Sequence, residues 1–283
     1  MDDCALYLRH FNLKERPFTL LPDPSLLYWS PQHKRAITIL RYGLMSRAPV
    51  TMISGEIGAG KTTLVQALLR ETGAEQRVGL ISNAQGGRGE LLQWILNAFD
   101  ANDREGPQDY VALFQRFQDF LLAEYSAGRR AVLIIDEAQN LSAEGLEEVR
   151  MLTNINANKD ELIQLVLVGQ PELREIVRAP NMRQLAQRVT ASFHLTPLDE
   201  AGVQAYIAHR LKTVGGRGDE FSEAASRRIH DRTGGVPRLI NQLCDFAMLY
   251  AWNDERHDIS LETIDSVLHD GVFFGDTAME PAS

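Results

Sequence analysis

The chain has 283 residues, 44% hydrophobic and 24% charged, an ordinary globular composition long enough for one large domain or a large and a small one. Its formal net charge of -9 argues against a surface built wholly to coat nucleic acid, and two distant cysteines, Cys4 and Cys244, with seven scattered histidines, exclude a disulfide framework and make zinc an unexpected ligand. Asp2 and Asp3 stand where a signal peptide would be basic, and apolar runs such as Ala131–Ile135 fall far short of the ~20 residues that cross a bilayer, so a soluble cytoplasmic protein with no integral membrane segment is expected.

Taken in order, Pro17, Pro22 and Pro24 forbid a continuous helix near the start and predict an extended segment lying over the domain. Ser30-Pro31 reads as a helix cap followed by proline at the first helical position, opening a helix to about Met45 that buries Ala36, Ile37, Leu40 and Leu44. Strands are predicted at Val50–Ser54, Val78–Ser82, Ala131–Ile135, Leu165–Val168 and Ser192–Leu195, with helical patterns between them. The third and fourth strands are apolar without alternation, as central strands covered on both faces are. Leu113, Phe114, Phe117, Phe120 and Leu121 recur at helical spacing and read as core. The pattern changes at Thr196-Pro197, beyond which only helices are visible: one capped by Asp199 with Val203, Tyr206, Ile207 and Leu211 on a face, one from Ser222 to Gly234-Gly235, one from near Pro237, and one after Ser260. The expected organisation is an N-terminal extension and first helix at 1–48, an α/β core at 49–197, a helical lid at 198–270, and a flexible tail at 271–283. The fold class is α/β, a parallel five-stranded sheet sandwiched by helices and followed by a small all-α lid domain.

Gly55-Glu56-Ile57-Gly58-Ala59-Gly60-Lys61-Thr62 matches G-x-x-x-x-G-K-[ST] between a strand and a helix, with Thr63 next in the chain. Glycines let such a loop turn its backbone N–H groups toward phosphate oxygens, and the following helix N-terminus adds a favourable dipole. Lys61 would reach the β- and γ-phosphates of ATP, and the Thr62 hydroxyl would coordinate Mg²⁺. A chance match in a chain of this length is on the order of one in a hundred. The second element is the strand Ala131–Ile135 running into Asp136-Glu137, two carboxylates where open α/β sheets place ligand chemistry. Asp136 would hold Mg²⁺ through water and Glu137 would polarise the attacking water. Asp136-Glu-Ala-Gln139 also resembles the second motif of two-lobed helicases, but the helices after Pro197 leave no second α/β lobe for that reading.

With these pieces assembled, the sequence resembles the ExeA, or general-secretion-pathway protein A, family of AAA+ ATPases, from Phe11 to about Phe274. The specific segments are Phe11-Asn-Leu-Lys-Glu-Arg-Pro-Phe18 with Pro22-Asp-Pro24, the phosphate loop to Thr63, Asp136-Glu-Ala-Gln-Asn-Leu141, Gly169-Gln-Pro-Glu-Leu173 and Gly234-Gly-Val-Pro-Arg238. The resemblance implies Gln170 as a polar sensor of the γ-phosphate, Arg238 as a second sensor reaching the nucleotide from the lid, and Arg188 (with Arg183 the alternative) as an arginine finger offered to a neighbouring subunit. It also implies that Pro17, Phe18 and His33 lie near the adenine, and Asn83 is a candidate to hold Glu137 inactive until a partner binds.

Secretion members of that family continue into a transmembrane helix and a peptidoglycan-binding domain, neither of which is in this sequence; it is either part of a longer chain or a stand-alone member. Stand-alone relatives resemble the TniB, TnsC and MuB transposition ATPases, which assemble on DNA. The implied function is an oligomeric ATPase, ring or filament, that uses Mg-ATP to drive or switch a secretion or export assembly, with protein partners that would bring it to the inner membrane. The alternative is an ATP-dependent DNA-binding regulator of transposition. Seven Lys/Arg against four acids over residues 1–50 motivate the alternative, while thirteen acids against eight basic residues over 199–270 and the overall charge favour the first.

Overall fold

The computed structural model describes residues 7–21, 23–82, 89–102, 109–157 and 160–275. Cys4, Pro22, Asn83 and the tail from 276 lie outside the described residues. The chain divides into two compact units, one made of Met1–Gln32, Glu56–Thr63 and Thr196–Ser283, the other of His33–Gly55 and Leu64–Leu195. The 1–48 extension is therefore shared out: from His33 onward the first helix belongs with the sheet.

The sheet unit carries α1 (Pro31–Met45), β1 (Val50–Gly55), α2 (Lys61–Glu71), β2 (Gln76–Ser82), α3 (Glu90–Ala98), α4 (Tyr110–Ser126), β3 (Arg130–Asp136), α5 (Ala143–Leu152), β4 (Asn156–Ala157), β5 (Asp160–Glu161), β6 (Ile163–Gly169), α6 (Pro171–Arg178), α7 (Arg183–Arg188) and β7 (Val189–Leu195). The first three residues of α2 group with the other unit. Five strands form one parallel sheet in the order β2-β3-β6-β1-β7, while β4 and β5 make a separate antiparallel pair too short to announce itself in the sequence. Strands β1 and β6 are buried at every position, and β3 at all but its first, which is why they read as unbroken apolar runs. The predicted strands sit inside the observed ones, each extended by one to three residues at an end.

Helix α1 buries His33, Ala36, Ile37, Leu40, Gly43 and Leu44, a stripe at helical period. Gly43 lets it approach β1: a Cβ there would come 2.0 Å from Thr51 Oγ1. At its end the Gly43 and Leu44 carbonyls accept from the N–H groups of Ala48 and Arg47, and buried Gln164 of β6 adds a second donor, its Nε2 lying 3.2 Å from each oxygen.

The helical unit is built from α8 (Glu200–Thr213), α9 (Glu223–Thr233), α10 (Pro237–Asn253) and α11 (Leu261–His269). Asp199, Ser222 and Ser260 accept from the N–H groups of Gly202, Ala225 and Thr263, the cap bonds their positions predicted. Gly234 ends α9 in the left-handed conformation, and Gly235 (φ +75°) passes so close to Leu198 that a Cβ would sit 1.8 Å from its carbonyl oxygen. Both glycines are thus demanded by geometry. Phe273 is buried in the same core, so ordered packing continues past the predicted end of the lid at 270. Among the described residues no helix is long and apolar enough to cross a membrane.

Tyr7, Phe11, Leu13, Phe18 and Leu26 of the N-terminal segment enter that core, and Arg210 of α8 fastens the segment down. Buried Arg210 donates from Nε to Pro17 O at 2.6 Å and from Nη1 to Leu26 O at 3.3 Å. It lies on the same helical face as Tyr206 and Ile207, a face predicted to be buried. Arg210→Leu keeps apolar volume but strands two carbonyls, each worth roughly 1–3 kcal/mol when buried unpaired. Urea unfolding should show a loss of about 2–4 kcal/mol, and hydrogen exchange should accelerate over residues 14–27 before the α8–α11 core responds.

Candidate active site

The phosphate loop groups with the helical unit. Gly58 (φ +80°) and Gly60 (φ +93°) adopt backbone conformations that a side chain would strain, turning the chain tightly ahead of α2. Within the loop Ala59 N–H donates to Glu56 O at 3.1 Å, and Lys61 Nζ donates to the same carbonyl at 2.9 Å. The ammonium is thereby folded over the loop, and Lys61 is buried. Ile57 at the tip is 60% exposed.

Arg238 meets this loop directly. Pro237 opens α10 at its first turn, where its missing N–H costs nothing. The next N–H, that of Arg238, donates to Gly58 O at 3.3 Å, and a Cβ on Gly58 would fall 2.4 Å from Arg238 Cβ. The Gly-Gly-Val-Pro-Arg motif and the phosphate loop are thus in backbone contact, with Gly58 serving both the loop turn and the seat of α10.

In the sheet unit, Asp136 is the last residue of β3, buried, its Oδ1 accepting from Glu137 N–H at 3.0 Å. Glu137 follows in the left-handed region (φ 55°, ψ 39°), uncommon for a residue with a side chain and a cost of about 1–2 kcal/mol. Two glutamines hold it there. Gln139 Nε2 donates to Glu137 Oε2 at 2.5 Å, and Gln170 Nε2 donates to the same oxygen at 3.1 Å. The Gln170 N–H in turn donates to Gln139 Oε1 at 3.0 Å. Gln170 sits at the N-cap of α6, directly after β6. The sequence pointed to Gln170 but not to Gln139, whose place depends on β6 lying beside β3.

The remaining predicted residues separate. Phe18 is 1% exposed, its ring edge-on to Phe221 at 5.8 Å between centroids, so it packs in the core of the helical unit. Pro17 offers its carbonyl to Arg210. His33 is buried in α1, within the other unit. Arg188, the last residue of α7, is engaged within its own chain by Glu161 Oε1 at 3.3 Å and by Asn154 Oδ1. Burial raises the Glu161 carboxyl pKa, and the Arg188 charge opposes that rise. Arg183 is exposed at the start of the same helix.

The family profile described as "AAA domain" matches residues 44–177. The chain is 40% identical over 258 residues to the general secretion pathway protein A of Aeromonas hydrophila, covering 90% of this chain and 46% of that protein, so it spans about half the length of the curated relative it matches. Similar folds include Cdc6p from Pyrobaculum aerophilum (TM-score 0.70, 18% identity, 89% of this chain and 72% of that one). The Drosophila ORC, solved bound to DNA, aligns at TM-score 0.67 with 13% identity over 95% of this chain and 66% of that one. The Thermotoga maritima RuvB branch-migration motor aligns at 0.55 with 16% identity over 89% and 73%. At such identities these structures share the fold alone. The profile match, the identity along the chain and the parallel sheet with its phosphate loop lead to one assignment: residues 44–177 are an AAA domain, carried on a P-loop AAA+ fold.

Proposed function

We propose that the chain hydrolyses Mg-ATP between subunits of a homo-oligomer, and that this drives or switches a secretion or export assembly of the kind its Aeromonas relative is named for. The observation that carries the hydrolytic reading is the carboxylate pair Asp136-Glu137 at the end of β3, one strand removed from the β1 strand that runs into the phosphate loop. In this reading the backbone N–H groups of Gly55 to Thr62, with Glu56, Ile57, Ala59 and Gly60 between, and of Thr63 receive the phosphates, and Lys61 neutralises the β- and γ-oxygens. Glu137 accepts a proton from the attacking water, and Gln170 reads the γ-phosphate. Arg238 reports the nucleotide to the helical unit through the contact with Gly58.

In this reading magnesium would be held by hard oxygens, the Thr62 hydroxyl and the Asp136 carboxylate. Among the described residues no group of three or more His, Cys, Asp or Glu could hold a metal unaided. That fits an ion that keeps several waters and is shared with substrate phosphates. Bound there, it would offset charge on the transferring phosphoryl group.

Arg188 serves as the finger by exchanging Glu161 and Asn154 for a neighbour's phosphate, which makes hydrolysis depend on assembly. Pro17, Phe18 and His33 remain proposed neighbours of the adenine, by resemblance. The net charge of -9 and the likeness to a secretion-pathway protein favour this assignment over a DNA-bound regulator of transposition. A salt-sensitive shift of labelled duplex in the presence of a non-hydrolysable ATP analogue would reverse that preference.

Lys61→Ala should abolish ATP binding by calorimetry. Glu137→Gln should bind ATP normally and hydrolyse it about 100-fold or more slowly, and near-normal turnover would remove Glu137 as the base. Gly58→Ala, which forces a methyl against Arg238, should weaken ATP binding roughly tenfold, about 1.4 kcal/mol; unchanged affinity would separate the α10 contact from nucleotide binding. In mixed oligomers, Arg188→Ala subunits should bind ATP yet fail to support phosphate release by the neighbour they face.

A further inference from the structure

Gln139 lies in the short turn Ala138–Asn140, one step beyond the carboxylate pair, and touches both strand ends that bear on hydrolysis. Its amide orientation is forced. The Gln170 backbone N–H can only donate, so Oε1 must face it at 3.0 Å, and the NH₂ group must then face Glu137, meeting Oε2 at 2.5 Å. Gln170 adds its own amide N–H to the same oxygen at 3.1 Å. Both donors converge on Oε2, which fixes the rotation of the carboxylate as well as its position. They do so on a residue whose left-handed backbone is unfavourable and persists because its surroundings over-determine it. Gly169 completes the arrangement: a Cβ there would stand 2.7 Å from Gln139 Oε1 and 2.8 Å from Leu173 Cδ2, so glycine leaves the room that the glutamine occupies.

We infer that Gln139 is a positioning residue for ATP hydrolysis, an orienter that locks the Glu137 carboxylate and ties it to Gln170 at the end of β6. The inference rests on the proposed role of Glu137 as the base. A base must be held in line with the water it activates, and the group that orients it acts on the chemical step without touching the nucleotide. The linkage runs through both amide ends of one side chain, so any movement of the Gln170 backbone is transmitted to the base. Leucine at 139 keeps the bulk and loses both hydrogen bonds. Glutamate at 139 keeps an acceptor for Gln170 N–H but sets a second carboxylate against Glu137.

The test is single-turnover hydrolysis of radiolabelled ATP, with ATP affinity measured in parallel on the full chain. Gln139→Leu should slow the chemical step by about tenfold or more with affinity within twofold of wild type. Gln139→Glu should lose more than Gln139→Leu, and adding Gln139→Leu to Glu137→Gln should cost nothing further, since the residue acts only through that carboxylate. Gly169→Ala, displacing Gln139 from β6, should give a smaller loss of the same kind, and it reads the linkage independently if the leucine variant does not fold. An unchanged or faster chemical step, a loss carried by affinity, or losses that multiply in the double variant would each overturn the inference. A wild-type protein that releases no phosphate would instead defeat the hydrolytic reading on which it stands.

Discussion

All five strands of the main sheet run the same way, and that constraint decides where this molecule can place chemistry. In a parallel sheet each strand must be reached by a crossover, so the strands' carboxyl ends gather along one edge and the loops leaving them become neighbours. Inserting β6 between β3 and β1 then sets the local cast. The register pairs Ile135 with Leu167 and Ser54 with Gly169, so the chain leaves β3 into Asp136-Glu137 beside the point where it leaves β6 into Gln170. The contact of Gln139 with both ends follows from that adjacency. The strands beneath are buried and regular, so the strain at Glu137 is borne by a frame with little freedom to relax.

The helical unit answers to a different demand, which is to be in touch with the phosphate loop. Gly58 gives the loop a turn that side chains resist and gives α10 an unobstructed approach, two requirements met by the lack of a single carbon. Because Arg238 N–H bonds to the Gly58 carbonyl, a change in the loop's backbone has a direct route into α10. The N-terminal segment is part of this unit through Phe18 and the carbonyls held by Arg210, so its aromatic residue is structural before it can be anything else. Arg188 shows the same economy in the sheet unit: its guanidinium is already paired with a half-buried carboxylate, and any role outside its own chain begins by giving up that partner.

Local features of the fold were legible from the chain because their causes are local. Apolar runs mark covered strands, and Asp199, Ser222 and Ser260 cap helices with their own side chains. The phosphate loop was legible for the same reason, since one turn needs all of its special residues at fixed spacing. What escaped depends on distant pairings. Nothing near Gln139 says that β6 will lie beside β3, so its double contact was hidden although the Asp-Glu-Ala-Gln string was in plain view. Phe18 packs edge-on against Phe221 from the far end of the chain, a pairing that no local pattern announces. Arg210 could have been found, since it falls on the apolar face of its own helix, where a charge needs partners. The β4–β5 pair, two residues a side, is below the length at which alternation carries information.

Central to the whole account is that Glu137 and its glutamines serve hydrolysis that two subunits complete together. Phosphate release from ATP by the wild-type protein, followed over a range of protein concentrations with and without magnesium, tests this most directly. Release should require magnesium, and its rate per subunit should rise with concentration until the oligomer is saturated. A per-subunit rate that is constant across the range, or phosphate release that persists undiminished in chelator, would contradict it.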